Sequence, residues 1–170
     1  VDGDTSTNDA FILAATGRAG NARIENPDSE EAAELLAGLT TVARTLAQAI
    51  VRDGEGATKF VTVAVQGGAD EAECLEVAYT VAESPLVKTA LFANRRIWGR
   101  WAMAIGRADV KGLDPTGVQV FFDDVQVMQD GLVAPGYSEA AGAEVLAAEE
   151  FTIRVDLGRG EAAAEVWTSD

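Results

Sequence analysis

Between residues 60 and 82 the sequence changes from the two-residue period of a strand to the period of a helix. Residues 60–65 alternate, Gly67-Gly68 interrupts the pattern, and from Asp70 the apolar positions recur every three or four residues. A strand followed directly by an amphipathic helix is typical of chains that pack helices on a sheet. We therefore expect an α/β or α+β fold, with residues 86–92 as the second strand of a βαβ or split-βαβ unit.

A long amphipathic helix is predicted before this strand. Asp28 or Ser29 can cap it, Gly54 follows it, and five apolar residues recur between them at steps of three or four: Leu35, Leu39, Val42, Leu46 and Ile50. Such a stripe predicts a helix over about residues 28–53. The apolar run at residues 10–15 predicts a short buried strand near the start of the chain.

The second half of the chain predicts further sheet and helix. Residues 97–105 and 137–148 have helical patterns, residues 118–127 predict a hairpin, and residues 151–157 and 163–167 predict a closing hairpin around Gly158-Arg159-Gly160. The expected fold is a mixed sheet with packed helices. We divide it into residues 1–59, a strand and a long helix, and residues 60–170, a compact α/β domain with three helices.

Composition excludes several classes of function. Thirteen Lys and Arg against 28 Asp and Glu give a net charge of −15, which repels nucleic acids and anionic membrane surfaces. The absence of histidine excludes Ser-His-Asp and Cys-His catalysis and histidine-bearing zinc sites. The single cysteine, Cys74, fits a reducing cytoplasm, and no apolar run is long enough to span a membrane. We expect no cofactor, no metal and a cytoplasmic location.

The first residues suggest one enzymatic hypothesis. Asp2-Gly3-Asp4-Thr5 fits the start of a haloacid-dehalogenase-like phosphatase, and Asp123-Asp124 after an apolar strand could mimic a magnesium site. Only Val1 precedes the motif, whereas that nucleophile follows a central strand. The alternative interpretation is a polar turn held by side-chain hydrogen bonds.

A glycine-flanked carboxylate at residues 54–59 suggests a binding site. Gly54 and Gly56 let the backbone approach a ligand closely, and Glu55 between them could pair with a ligand ammonium. The alternative is an ordinary glycine stop after the helix. The order Thr58-Lys59 is not that of a nucleotide-binding loop.

Six short segments occur in a specific order along the chain. They are residues 1–9 (VDGDTSTND), 54–59 (GEGATK), 84–90 (SPLVKTA), 98–100 (WGR), 155–160 (VDLGRG) and 164–167 (AEVW). Together they resemble the bifunctional ornithine acetyltransferase/glutamate N-acetyltransferase family of arginine biosynthesis over essentially the whole chain. The resemblance implies an enzyme that cleaves itself before a threonine, whose hydroxyl then carries acetyl from N-acetylornithine to glutamate. It also implies assembly with an α-chain and a second αβ unit. On the same resemblance residues 1–59 are a remnant of the family's larger layered catalytic domain, and residues 60–170 are the compact C-terminal domain of its β-chain.

On this resemblance Glu55 matches the family's glutamate that contacts the substrate amino acid. The family's nucleophile and oxyanion hole lie upstream of these residues, and its substrate-binding tail lies downstream. None of Thr5, Thr7 or Thr58 matches the nucleophile. We therefore expect a β-chain fragment with no catalytic residue of its own, inactive by itself.

Residues 95–101 depart from the resemblance. The family usually reads Asp-Pro-Asn at Arg95, Arg96 and Ile97, and an aliphatic residue at Trp101. One hypothesis is sequence drift, with Trp98 and Trp101 on the core face of a helix. The alternative is a protein-binding patch, because tryptophan and arginine dominate interface hot spots. The chain would then be a natural or engineered non-catalytic binding module.

Overall fold

The computed structural model of the protein describes residues 3–94 and 98–170, which form two compact units. One unit comprises residues 4–50, and the other comprises Gly3 with residues 51–170. The described elements are α1 (Glu30–Arg52), β1 (Phe60–Gly68), α2 (Glu71–Ala82), α3 (Pro85–Phe92), α4 (Trp98–Gly106), β2 (Gln119–Phe122), β3 (Val125–Gln129), β4 (Leu132–Val133), α5 (Glu139–Ala147), β5 (Glu150–Asp156) and β6 (Ala162–Thr168). This mixture confirms the predicted fold class, whereas the division into domains 1–59 and 60–170 stays a prediction.

Most of the first unit is the predicted long helix. The Ser29 hydroxyl accepts a hydrogen bond from the amide of Ala32 at 3.2 Å, and Glu30 and Glu31 occupy the first turn, where the helix dipole favours negative charge. The five stripe residues on α1 are between 38% and 69% exposed. The prediction of the helix is confirmed, but its apolar face lies in solvent.

The predicted strand at residues 10–15 is wrong. Phe11, Ile12 and Leu13 are 86%, 83% and 69% exposed, and the backbone around them forms no ladder with any described segment. An apolar run becomes a strand only where a neighbouring strand pairs with its N–H and C=O groups. The described residues offer no such neighbour here.

A six-stranded sheet with the order β4-β3-β2-β5-β1-β6 organises the second unit. β1 pairs in parallel with β5 and antiparallel with β6. Alternate residues of β1 and β5 enter the core, including Val61, Val63 and Ile153, while the intervening side chains of these strands remain partly exposed. α2 packs on β1 and β6, and α4 packs on α2 and α3.

The segment after α2 is a helix, so the predicted βαβ unit is wrong. The Ser84 hydroxyl caps α3 by accepting from the amide of Val87, and Pro85 occupies the first turn, where its missing N–H costs nothing. Residues 60–170 consequently contain four described α-helices rather than the three expected. A short apolar run fits a buried strand and a buried helix equally well by its period alone.

The hairpin predicted at residues 118–127 is confirmed by β2 and β3, but the closing hairpin is wrong. β5 and β6 lie on opposite sides of β1. Their connection crosses the end of β1, where the amides of Arg159 and Gly160 donate to the carbonyl of Gly67 at 2.7 and 2.8 Å. A side chain at Gly160 would overlap the carbonyl oxygen of Gly68.

Candidate functional site

The connection between α1 and β1 carries Glu55 at the corner of a tight turn. The carbonyl of Gly54 accepts a hydrogen bond from the amide of Ala57 at 3.0 Å, which closes the turn. Gly56 has φ +76°, as the third residue of a type II turn requires. Glu55, the second residue of the turn, is exposed.

Arg52 fixes the entry to this turn. Its guanidinium donates two hydrogen bonds to the Glu150 carboxylate, at 3.0 and 2.8 Å, and lies 3.7 Å from the centre of the Phe60 ring. The hydrogen bonds raise the pKa of Arg52 and lower the pKa of Glu150. Because both side chains are about half exposed, the pair adds little to the free energy of unfolding. Its two parallel hydrogen bonds chiefly fix the orientation of the two side chains.

Asp170 fixes the exit from the turn. Its carboxylate accepts hydrogen bonds from the amides of Thr58 and Lys59, at 2.7 and 2.9 Å, and from the Thr58 hydroxyl. Partial burial raises the pKa of Asp170, but the hydrogen bonds from Thr58 and Lys59 outweigh that effect and hold it below its usual value. The carboxylate, in its charged form, therefore binds two successive backbone amides at the exit of the turn.

The Lys59 side chain is buried and forms no ion pair with Glu55. Its ammonium donates to the carbonyl oxygens of Leu146 and Ala148, at 2.8 and 3.4 Å. Among the described residues Glu55 has no hydrogen bond or ion pair. A carboxylate without an internal partner, held on a fixed turn, suits a cationic group of a ligand.

The residues of the suggested protein-binding patch separate in the structure. Arg95, Arg96 and Ile97 lie outside the described residues. Trp98 is half-buried against the core, and Trp101 is only 1% exposed, with its ring 5.1 Å from that of Phe122. Trp101 is therefore a core side chain and is not exposed to a protein partner.

The acidic residues of the phosphatase hypothesis do not form a described metal site. Asp2 lies outside the described residues, and Asp4 is exposed. The carboxylate of Asp123 accepts a hydrogen bond from the amide of Thr152 at 2.8 Å, which ties the β2–β3 turn to β5. Residues 3–94 and 98–170 contain no cluster of three acidic or cysteine side chains that could hold a metal ion. None of their helices is long and apolar enough to cross a membrane.

Two site residues that fix the turn, Arg52 and Asp170, have no signal in the sequence. Asp170 is 112 positions from Thr58, and Arg52 is 98 positions from Glu150. No local pattern indicates such contacts, because they arise only once the sheet has brought these segments together.

Comparison with known proteins gives one consistent result. The ArgJ family model matches residues 1–170. "Arginine biosynthesis bifunctional protein ArgJ" of Pseudomonas fluorescens (strain Pf0-1) is 51% identical over all 170 residues, and the protein of the same name from Psychrobacter arcticus is 52% identical. The chain spans 42% of the length of each. The crystal structure of arginine biosynthesis bifunctional protein ArgJ from Bacillus halodurans superposes with a TM-score of 0.92 at 33% identity, covering 100% of this chain and 79% of that one.

Proposed function

Because the chain belongs to the ArgJ family of arginine biosynthesis, we propose that it is the β-chain part of an ornithine acetyltransferase. The reaction moves an acetyl group from N-acetylornithine to glutamate. A threonine hydroxyl attacks the acetyl carbonyl carbon, the C–N bond breaks, and ornithine leaves with the proton. The amine of glutamate then attacks the threonine ester, which releases N-acetylglutamate and restores the hydroxyl. Such an enzyme draws its substrates from the cytoplasm, where we place it.

The role that we assign to this chain is to bind the substrate ammonium through Glu55. The observation that carries the assignment is an exposed carboxylate, without an internal partner among the described residues, on a turn fixed at both ends. A charge-assisted hydrogen bond from an ammonium to such a carboxylate contributes about 1.5–3 kcal/mol. N-acetylornithine carries one ammonium group, on its side chain, because its α-amine is acetylated, so the chemistry matches the proposed substrate.

We assign the nucleophile to none of the threonines in these 170 residues. The Thr58 hydroxyl is engaged with the Asp170 carboxylate, and the Thr7 hydroxyl donates to the side chain of Asn8 at 2.6 Å. The nucleophile and the oxyanion hole would come from the remaining length of a family protein. The 170 residues alone are accordingly proposed to be inactive.

We further propose that the remaining part of a family protein, including the α-chain, covers the apolar face of α1. Together with residues 11–13 this face lines an apolar groove of about 360 Å³ within residues 4–50. Large apolar side chains concentrated on one exposed face mark a surface that another chain covers. The assembly with a second αβ unit belongs to the same proposal.

The test is a comparison of Glu55→Gln with the parent in a protein of the relatives' full length that carries these 170 residues. Loss of the charge should raise the KM for N-acetylornithine by about tenfold or more, at ~1.4 kcal/mol per tenfold change. Asp53→Asn, an exposed neighbour before the turn, is the matched control and should leave KM unchanged. Unaltered kinetics in Glu55→Gln would refute the binding role. Turnover of N-acetylornithine by the purified 170 residues alone would refute the proposed inactivity.

A further inference from the structure

The position of the Glu55 carboxylate depends on the backbone of its turn. The side chain is exposed and makes no hydrogen bond or ion pair with the described residues. Packing therefore does not restrain it, and whatever holds residues 54–59 also sets where a ligand's ammonium would bind. Binding sites need such support, because a carboxylate misplaced by about 1 Å loses much of its effect.

The exit from the turn lies beyond the paired part of the sheet. In the antiparallel ladder Val61 is opposite Thr168, so two residues further out Lys59 is opposite Asp170. At this position backbone pairing between the strands has ended. The carboxylate of Asp170 instead accepts hydrogen bonds from the amides of Thr58 and Lys59, at 2.7 and 2.9 Å. Without this carboxylate, the described structure gives those two amides no other acceptor.

Asp170 is itself attached to rigid elements. The Lys88 ammonium on α3 donates to the carbonyl of Ser169 at 2.7 Å and to the hydroxyl of Thr168 at 2.9 Å. The Thr168 hydroxyl in turn donates to the carbonyl of Ala82, at the end of α2, at 3.1 Å. Ser169 is 5% exposed. The end of β6 is thus held by two helices, and Asp170 connects that fixed point to the Glu55 turn.

We propose that Asp170 is a positioning residue that holds the Glu55 turn in its substrate-binding geometry through Thr58 and Lys59. The inference rests on the proposed function of Glu55 and extends it. Asp170 does not contact substrate in this scheme. It acts through the backbone of the turn, so its effect on substrate binding should disappear when Glu55 can no longer bind an ammonium.

The direct test uses the 170 residues alone. Asp170→Asn replaces a charged acceptor by a neutral one, so hydrogen exchange of the Thr58 and Lys59 amides should accelerate by about tenfold. Asp114→Asn is the control, because the Asp114 carboxylate likewise accepts hydrogen bonds from the amide and the hydroxyl of a threonine, Thr116, at 2.9 and 2.7 Å. It should leave exchange at Thr58 and Lys59 unchanged. Equal exchange in Asp170→Asn and the parent would overturn the proposal.

The second test uses a protein of the relatives' full length that carries these residues. Asp170→Asn should raise the KM for N-acetylornithine by about fivefold with kcat nearly unchanged, as expected for lost uniform binding. In a Glu55→Gln background the same substitution should change KM by less than about twofold, because the two residues act as one unit. Effects that multiply independently would show a merely structural role and overturn the proposal.

Two further outcomes keep the inferences separate. If Glu55→Gln leaves KM unchanged, the proposed function fails, whereas a Glu55→Gln effect without an Asp170→Asn effect defeats only the positioning role. If Asp170→Asn does not fold, Asp170→Glu decides, since it keeps the charge but moves the carboxylate by one methylene relative to the amides of Thr58 and Lys59. A KM increase in Asp170→Glu that disappears in the Glu55→Gln background supports the proposal, and an unchanged KM contradicts it.

Discussion

Trp101 places an indole N–H in the apolar core without a hydrogen-bond acceptor among the described residues. Leaving a buried donor unsatisfied costs about 1–3 kcal/mol, whereas the ring itself packs edge-on against Phe122. Trp101→Phe removes the donor and keeps an aromatic ring, so we expect its free energy of unfolding to lie within about 1.5 kcal/mol of the parent. Denaturant unfolding of the 170 residues measures this.

Trp101→Ala is the reference for that comparison. It removes the whole ring from a buried position and should lower the free energy of unfolding by about 3–5 kcal/mol. If Trp101→Phe were as destabilising as Trp101→Ala, the indole N–H would have an acceptor in solution and the account of this residue would be wrong.

The residues of the candidate site differ in how well the sequence predicts them. The position of Glu55 in a turn is predictable, because two glycines flank it directly after a helix end. Such a pattern is local and does not depend on the tertiary fold. The position of Asp170 is not predictable, because its partners Thr58 and Lys59 are brought to it by the β1–β6 pairing. Adjacency in the sequence suggests only that the side chain of Lys59 lies near Glu55. Its burial against the carbonyls of Leu146 and Ala148 depends on the tertiary fold.

At the scale of elements, the connection between β5 and β6 crosses the end of β1 in close contact with its backbone. Gly160 lies against the backbone of Gly68, and an added Cβ would overlap its carbonyl oxygen. Arg159 holds the same connection through an ion pair with Glu73 at 2.8 Å. Gly160→Ala must displace the connection and weaken the hydrogen bonds to Gly67, so we expect a loss of about 1–3 kcal/mol in the free energy of unfolding.

Gly136→Ala is the matched control for this substitution. Gly136 is exposed and an added Cβ would have no atom within 4 Å, so the change should remain within about 0.5 kcal/mol. Thermal or denaturant unfolding of both variants provides the comparison. Equal stabilities of Gly160→Ala and Gly136→Ala would contradict the close approach.

The same crossing explains why the pairing of these strands was mispredicted. Two alternating segments separated by Gly158-Arg159-Gly160 have the local pattern of a hairpin, and only the insertion of β1 between them excludes it. For α3 the local signal was present, because Ser84-Pro85 is a helix start. Pro85 is also the residue that would end the preceding helix, and the apolar run after it fits a strand as well as a helix. The longer helices, α1 and α2, repeat the helical period over enough residues for the sequence to predict them correctly.

For the whole molecule, the sequence predicts the class of fold and the order of most elements, but not what its apolar surfaces contact. The stripe on α1 and the run at residues 11–13 have the composition of buried structure, yet both are exposed. Hydrophobicity alone predicts a buried strand at residues 10–15. Burial needs a neighbour, and the pattern of a single segment carries no information about which neighbour that is.

The exposed stripe leads to a prediction that compares two lengths of protein. Leu46 is 58% exposed in these 170 residues, so Leu46→Ser should cost only the few tenths of a kcal/mol that helix propensity imposes. In a protein of the relatives' full length, where we propose that the stripe is covered, the same substitution removes buried methyl groups and should cost about 2–5 kcal/mol. Ala37→Ser is the control, because nine residues at about 100° each place it on the opposite side of α1. The measurement is the free energy of unfolding of each variant in the 170 residues and in the longer protein. If Leu46→Ser is no more destabilising than Ala37→Ser in the longer protein, this face of α1 is not buried in the family protein.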